Sequence, residues 1–416
     1  MEMSKNAVAI TGLGVLSPIG LSIVELEQSI FSTRSGIGLI EAPPLQKRFP
    51  AGVIERSFAE AFTSLERPFL DRCQQMAILA ADQAIANAAL GDFNDIGLRA
   101  GLHYGNVNGG VASAQAWYQQ MLVDGKQASR PFSAMAIMGN AGAAQISIRH
   151  NIRGPVITHA SACGSSGVAI AHAARAIADG YLDVAIAGGA EAPLTASLIG
   201  VFDGTRALSK PDVADPSRTC KPFALNRSGL VLGEGAAFLT LECERHARAR
   251  GANILGYVAG SGIANDAHHI GMPASQGQEM ALRDALRDAG MSASDIGYIN
   301  AHATATGGGD IIEASAIRAV FGDSSDAPAV SSTKGVHGHL LGAASALEAV
   351  ITVLAMNASV LPATAHLDAI DPNCALRHVP CKAITDQMIR AALSFSCGFG
   401  GTNVALVFSR NPTNSN

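Results

Sequence analysis

Aromatic and charged residues are scarce in this chain of 416 residues. Aromatics make up 5% and charged residues 15%, and there is one Trp, whereas Gly (44) and Ala are abundant. This composition suits helices packed tightly on sheets, and it does not fit a disordered chain. The length exceeds that at which single hydrophobic cores stop growing, so we expect two domains or two halves.

Runs of Lys and Arg are missing, and the formal net charge is -5. Without a basic footprint for phosphates we expect no nucleic-acid partner. No apolar stretch is judged long enough to span a membrane, and the first residues enter a strand-like run directly, without a signal peptide. We therefore expect no membrane partner and a cytoplasmic location.

Cysteine pairs of the C-x-x-C type are also missing. The seven cysteines are scattered and odd in number, which argues against a disulfide framework and against a zinc site. We expect free thiols and no bound metal.

Short apolar strands alternate with Ala-rich helices, the pattern of a layered α/β protein with parallel or mixed sheets. In DRCQQMAILAADQAIANAAL the spacing predicts a helix with one apolar face, formed by Cys73, Met76, Ala80, Ala84 and Ala88.

One pattern occurs twice: a strand, a turn of small residues, and a helix rich in Ala. The copies are PVITHASACGSSGVAIAHAARAIADG, which ends at the capping residue Gly180, and AVSSTKGVHGHLLGAASALEAVITVLA. Their predicted apolar stripes are Ile170, Ala174 and Ile177 in the first, and Leu340, Ala344, Leu347, Ile351 and Leu354 in the second. We interpret this as a duplication with the halves meeting near residue 250, although any α/β protein yields similar pairs by chance.

Cys163 lies in S-A-C-G-S-S-G, between a strand and a helix. A helix N-terminus stabilises a thiolate, so this position predicts a nucleophile with a lowered pKa. Gly164 and Gly167 leave room for a thioester to approach. The alternative is a buried structural cysteine, and position alone leaves both open.

Two histidine segments favour the nucleophile. YINAHATATGGGD places His302 after a strand, and SSTKGVHGHLLGAA places Lys334, His337 and His339 in a turn before a helix. A lone histidine is more often a hydrogen-bonding residue than a catalyst, but two in such turns, with a lysine and a cysteine, indicate a site. Neutral imidazoles that donate N–H groups would stabilise the enolate formed when a malonyl thioester loses CO2.

Together SACGSS, AHATAT, SSTKGVHGHLLGAASALEA and SCGFGGTN resemble the elongating β-ketoacyl-acyl-carrier-protein synthases over nearly the whole chain. The resemblance implies the thiolase fold, an α/β fold with duplicated halves in a five-layered α-β-α-β-α arrangement. The halves would be residues 1–250, with the cysteine, and 251–416, with both histidines and the lysine. It also implies a homodimer, or a heterodimer with a related ketosynthase-like subunit.

The resemblance assigns roles residue by residue. Cys163 would accept the acyl group, His302 and His339 would promote decarboxylation of malonyl, and Lys334 would tune the site. The remaining roles are a supporting network around the lysine (Asp310, Glu313 and Glu348), a gate and oxyanion hole (Phe399 with the Cys163 N–H), and binding of the phosphopantetheine arm (Thr304 and Thr306). The implied reaction is a decarboxylative Claisen condensation that uses acyl carrier protein and no metal or redox cofactor. Steering of that acidic carrier suggests Arg67, Arg72, Arg206 and Lys210 as contacts.

Several positions depart from the commonest family sequence. Ala303 and Ala305 replace glycines, Gly307–Gly309 follow without a proline, and Cys397 stands where an aromatic residue is common. Further departures are Ala224, Asn226, Ser228 and Gly271. We therefore hypothesise a specialised synthase of a fatty acid, polyketide or polyene pathway, with housekeeping fatty acid elongation as the alternative. Two further alternatives are a coenzyme A-dependent thiolase that uses Cys397 as base, and a non-catalytic chain-length partner subunit.

Overall fold

The computed structural model describes residues 5–128 and 133–412. Its main sheet has ten strands and a small second sheet has three. The strands are β1 (Val8–Leu16), β2 (Ile37–Glu41), β3 (Arg48–Gly52), β4 (Ala100–Gly105), β5 (Val156–His159), β6 (Val184–Glu191), β7 (Leu232–Gly233), β8 (Gly235–Cys243), β9 (Gly256–Asn265), β10 (Tyr298–Asn300), β11 (Ala329–Ser331), β12 (Ala391–Cys397) and β13 (Thr402–Ser409).

The helices lie between these strands. They are α1 (Ile23–Phe31), α2 (Arg72–Asn87), α3 (Phe93–Ile96), α4 (Val111–Leu122), α5 (Ser133–Ile137), α6 (Ala141–His150), α7 (Ser165–Ala178), α8 (Ala196–Gly204), α9 (Glu244–Ala249), α10 (Ser275–Ala289), α11 (Gly309–Phe321), α12 (Lys334–His337) and α13 (Ala344–Ala358).

The ten-stranded sheet is a duplication. Its order is β11-β10-β12-β13-β9-β1-β8-β6-β4-β5, so each half consists of five strands, and the halves join where β1 pairs with β9. In each half two parallel pairings (β4 with β5 and β6; β10 with β11 and β12) are followed by two antiparallel ones. This matching topology confirms the duplication, while the boundary near residue 250 stays a prediction.

The helices complete a five-layered α/β fold, as expected. Helices α7 and α13 pack against each other between the two halves of the sheet, and α2 with α6, and α10 with α11, cover the outer faces. In α13, thirteen of fifteen residues are buried, because a helix between two sheets has no solvent face.

Glycines explain how closely the outer helices approach. A Cβ at Gly12 or Gly14 of β1 would lie 2.1 or 2.0 Å from carbonyl oxygens of α2. In the other half, a Cβ at Gly262 of β9 would lie 2.0 Å from a carbonyl oxygen of α10. Backbone at this separation tolerates no side chain, so the glycine-rich composition follows from the packing of the layers.

The predicted helical stripes are confirmed. Cys73, Met76, Ala80, Ala84 and Ala88 are all buried, and so are the stripes of α7 and of the segment that leads into α13. The helix α7 ends at Ala178, and Gly180 follows with φ +79°.

One expectation from hydropathy was wrong. The segment Leu341–Ala358 is apolar enough over 18 residues to cross a membrane by composition and length. It is 89% buried within the protein, where it includes the core helix α13. Its apolar character is therefore accounted for by its place between the two halves of the sheet.

Candidate active site

Cys163 lies in the turn between β5 and the start of α7, as predicted. Its side chain is buried, and its carbonyl oxygen accepts a hydrogen bond from Ser345 Oγ at 3.0 Å. The second half of the chain thereby fixes the backbone of the cysteine.

Both predicted histidines belong to the second half of the chain and lie close to the Cys163 sulfur. His339 Nε2 lies 3.0 Å from Cys163 Sγ, and the His302 and His339 rings stand edge to face with centroids 5.1 Å apart. The structure therefore brings together three residues that are far apart in sequence.

Lys334 lies beneath His302. Its Nζ is 3.3 Å from His302 Nδ1 and forms a fully buried ion pair with Glu348. An ammonium group only donates, so His302 Nδ1 accepts, and the proton of the neutral ring lies on Nε2. His302 is thus oriented as a hydrogen-bond donor through Nε2.

Both imidazoles are neutral at physiological pH. Burial and the Lys334 charge hold the pKa of His302 and that of His339 well below the usual value. The expectation of neutral, N–H-donating imidazoles agrees with this environment.

The expected lowering of the Cys163 pKa was wrong. Burial raises the pKa of the thiol to about 11, although the Phe399 N–H and the Lys334 charge act in the opposite direction. Desolvation of the thiolate at this buried position is the largest of these effects. The resting residue is a thiol, and its sulfur is in hydrogen-bonding contact with His339 Nε2.

A pH dependence of alkylation follows. Because only the thiolate reacts, we expect the rate of Cys163 alkylation by iodoacetamide to rise about tenfold per pH unit from about pH 7 to 9. A short unstructured cysteine peptide, measured in parallel, should level off near the pKa of about 8.5 of an unperturbed cysteine. The adduct on Cys163 is followed by peptide mass spectrometry, and a plateau for Cys163 below about pH 8 would contradict the raised pKa.

The acidic residues do not all surround the lysine. Of the three, Glu348 pairs with Lys334, whereas Glu313 accepts the backbone N–H groups of His302 and Ala303 at 2.6 and 2.7 Å. Asp310 accepts the N–H of Phe223 at 2.8 Å. Burial raises the pKa of Glu313 to about 8 and that of Asp310 to about 6. Glu313 therefore holds the His302 backbone, a role that the motif did not indicate.

A cavity of about 310 Å³ opens onto the three residues. Thr304, Thr306 and Phe399 line it, together with Cys397. Phe399 is 47% exposed, which excludes an ordinary core aromatic, and its N–H points to the Cys163 sulfur. The cavity therefore connects Cys163 with the exposed Phe399 at the surface.

The alanines that replace glycine have a structural cost. Ala305 is fully buried and has φ +66°, a left-handed conformation that costs an L-residue about 1 kcal/mol or more. Its methyl group packs in a small cluster with Ile37, Cys220 and Val231. Compared with glycine, Ala305 therefore adds backbone strain and also adds apolar packing beside the cavity.

Arg227 is a site-supporting residue that sequence reasoning missed. Its guanidinium, only 5% exposed, donates to the carbonyl oxygens of Thr306 and Gly307 and pairs with Asp371. It thereby fixes the loop that carries both threonines. The signal was a single arginine in the otherwise uncharged segment ALNRSGLVLG.

The four cations predicted as carrier contacts differ in their surroundings. Arg72 donates to both carboxylate oxygens of Glu234 and to two carbonyl oxygens, so its charge is already neutralised. Arg67 is exposed, with Nε bound to backbone carbonyls. Arg206 and Lys210 are exposed on either side of Ala207, which lines the cavity.

The ligand atoms of Cys163, His302 and His339 all lie within 4.8 Å of one another, a spacing that suits a metal ion. The Lys334 ammonium beside His302 disfavours a second cation there, and a metal-bound His302 Nε2 would have to lose its proton. The expectation of no metal stays a prediction.

Comparison with known proteins agrees with this geometry. Family models described as "Beta-ketoacyl synthase, N-terminal domain" and "Beta-ketoacyl synthase, C-terminal domain" match residues 5–247 and 255–368. Nodulation protein E of Rhizobium meliloti strain 1021 is 38% identical, with 97% of this chain and 99% of that protein covered. The 3-oxoacyl-acyl-carrier-protein synthase 2 of Vibrio cholerae is 35% identical, with 98% and 100% covered. The solved ishigamide ketosynthase/chain length factor superposes with a TM-score of 0.90 at 30% identity and covers 98% of this chain and 100% of its own. The chain therefore belongs to the β-ketoacyl synthase family of acyl-transferring enzymes and has its thiolase fold.

Proposed function

We propose that this protein catalyses the decarboxylative Claisen condensation of an acyl group held on Cys163 with malonyl-acyl-carrier protein. The observation that carries the proposal is the contact of His339 Nε2 with Cys163 Sγ at 3.0 Å, beside a His302 oriented by Lys334. A buried structural cysteine needs neither a neutral histidine pair nor an open cavity.

In the first half of the cycle, the Cys163 sulfur attacks the carbonyl carbon of an acyl thioester. The new C–S bond forms, the bond to the phosphopantetheine sulfur breaks, and the proton that Cys163 gives up passes to the departing carrier sulfur, which leaves as a thiol. The N–H groups of Cys163 and Phe399 face the position where the oxyanion develops. Thr304 and Thr306 line the path of the arm and offer it hydroxyl groups.

In the second half, malonyl bound to the carrier loses CO2, and the electron pair of the broken C–C bond moves into the thioester as an enolate. The N–H groups of the neutral His302 and His339 stabilise that oxygen. The enolate carbon then attacks the acyl-Cys163 carbonyl, and the C–S bond to Cys163 breaks. 3-Oxoacyl-acyl-carrier protein is released, and the Cys163 thiolate takes up a proton from solvent to restore the thiol.

Replacing His302 tests the second half of the catalytic cycle alone. We expect His302→Ala to lower malonyl decarboxylation about 100- to 1,000-fold, because one of two donors to the enolate is lost. Acylation of Cys163 should change much less. Release of CO2 and the mass of the acyl-enzyme are measured separately, and a parallel loss of both would contradict this division of roles.

The choice of substrate is a further proposal. Ala303 and Cys397 line the cavity near the nucleophile, and Ala305 packs beside it. We therefore propose a specialised fatty acid, polyketide or polyene pathway, with housekeeping elongation as the alternative. Product analysis with saturated medium-chain and unsaturated acyl carrier proteins decides between them. Faster turnover of the saturated donors would refute the specialised pathway.

The partners follow from the same chemistry. We propose acyl carrier protein, approaching over Arg206 and Lys210, and a second ketosynthase-like subunit, because the similar ishigamide protein is a ketosynthase/chain length factor. The reaction needs no metal or redox cofactor, since its substrates arrive on phosphopantetheine. All seven cysteines are free, which fits a reducing compartment and supports a cytoplasmic location.

The two remaining alternatives are less well supported. A thiolase would use Cys397 as a base, but the buried Lys334 beside His302 and the contact of His339 with Cys163 argue against it. A non-catalytic chain-length subunit would not need the arrangement of Cys163 with two histidines. Full turnover by Cys397→Ser is expected of the synthase and would exclude the thiolase.

A further inference from the structure

Glu191, the last residue of β6, is a fully buried carboxylate that the proposed cycle does not use. One oxygen accepts the backbone N–H groups of Val107 and Gly342 at 3.0 and 3.2 Å. The other accepts the backbone and side-chain N–H groups of Asn108, both at 3.1 Å. Four donors from two separate segments thus converge on one side chain.

Its charge is balanced by these dipoles alone. Within residues 5–128 and 133–412 it forms no ion pair with lysine or arginine. The titratable groups that interact with it are Cys73 and Tyr104, with Asp71 nearby, and none of the three can carry a positive charge. Burial raises the pKa of Glu191 to about 7, although its N–H donors act in the opposite direction. A protonated carboxyl would turn an O–H toward groups that can only donate.

One of the two segments, the one that contains Gly342, lies next to His339 in sequence. Gly342 follows His339 by three residues, and Ser345, three residues later, donates to the Cys163 carbonyl. A Cβ at Gly342 would lie 2.6 Å from the Glu191 carboxylate and 3.0 Å from the Val107 side chain. Only glycine fits at this position, because the turn of residues 339–343 packs directly against the loop of residues 106–108.

We propose that Glu191 is a positioning residue whose carboxylate ties Val107, Asn108 and Gly342 together and so holds His339 against Cys163. It touches neither the sulfur nor the cavity, and it acts through the turn. This inference rests on the proposed function, because its effect is read out in malonyl decarboxylation.

The test is Glu191→Gln in the full-length protein. A Gln side chain keeps the shape but turns an amide NH2 toward two of the donors. We expect kcat for decarboxylation of malonyl-acyl-carrier protein to fall about tenfold, with KM within about twofold of the wild type because the cavity is unchanged. The wild-type kcat should rise with pH through about 7, as Glu191 ionises, and the variant should lack that rise.

Glu242→Gln is the matched control. It removes another fully buried carboxylate, which binds Thr11, His246 and Arg250 away from the cavity. It should lower the melting temperature and leave kcat and its pH profile unchanged. If Glu191→Gln does not fold, Gly342→Ala is measured instead, with the same expected loss of kcat.

Wild-type kcat and an unchanged pH profile in Glu191→Gln would overturn the inference, and so would wild-type kcat in Gly342→Ala where that variant replaces it. An equal effect of Glu242→Gln on kcat would also overturn it, because the loss would then reflect general destabilisation. If the wild type itself neither acylates Cys163 nor decarboxylates malonyl, it is the proposed function that fails.

Discussion

Replacing Cys163 by Ala is expected to lower condensation by about 10,000-fold or more while the fold remains. The reaction has no other route for holding the acyl group, and loss of a nucleophile removes the covalent intermediate altogether. The side chain is small and the surrounding backbone is held by Ser345, so we expect a change of about 1 kcal/mol or less in the free energy of unfolding. Formation of 3-oxoacyl product and thermal unfolding are measured on the same preparation.

Cys73→Ala is the matched control for this variant. Cys73 is also a buried free thiol, but it lies on α2 against Tyr104 and does not line the cavity. We expect a comparable small loss of stability and wild-type condensation. Condensation by Cys163→Ala at more than about 1% of the wild-type rate would contradict the nucleophile assignment.

Replacing Lys334 by Met is expected to destabilise the protein by about 3–5 kcal/mol and to suppress decarboxylation. Both members of the Lys334–Glu348 pair are fully buried, so the substitution leaves a carboxylate without its partner in the core. It also removes the donor that fixes the proton of His302 on Nε2. Urea unfolding measures the first effect and CO2 release the second.

The double variant Lys334→Met/Glu348→Gln separates these effects. Removal of both charges should restore much of the stability, because no buried charge then lacks a partner. Decarboxylation should stay low, since the orientation of His302 is still lost. A single variant destabilised by less than about 1 kcal/mol, or a double variant with wild-type decarboxylation, would contradict the role of this pair.

The sequence predicted the parts of the site that are encoded locally. The turn before α7, the end of β10 and the turn after α12 each follow from a short motif, and the repeated strand–turn–helix pattern predicted the matching halves of the sheet. The resemblance then indicated that Cys163 and His339, 176 residues apart, meet. Pattern alone specifies no such pairing.

What could not be predicted depends on tertiary burial. The helix N-terminus suggested a lowered Cys163 pKa, but burial of the thiol in the folded protein raises it. Arg227 and Glu191 act through backbone groups of distant loops, so no local motif marks them. The long apolar segment Leu341–Ala358 is explained only by the fold, because it is buried between the two halves of the sheet.

The most direct test is intact-protein and peptide mass spectrometry after incubation with a panel of acyl carrier proteins. We expect a mass increase equal to the acyl group of at least one donor, located on Cys163 and absent from Cys163→Ala. No mass increase with any donor, or an acyl group on Cys397 instead, would contradict it.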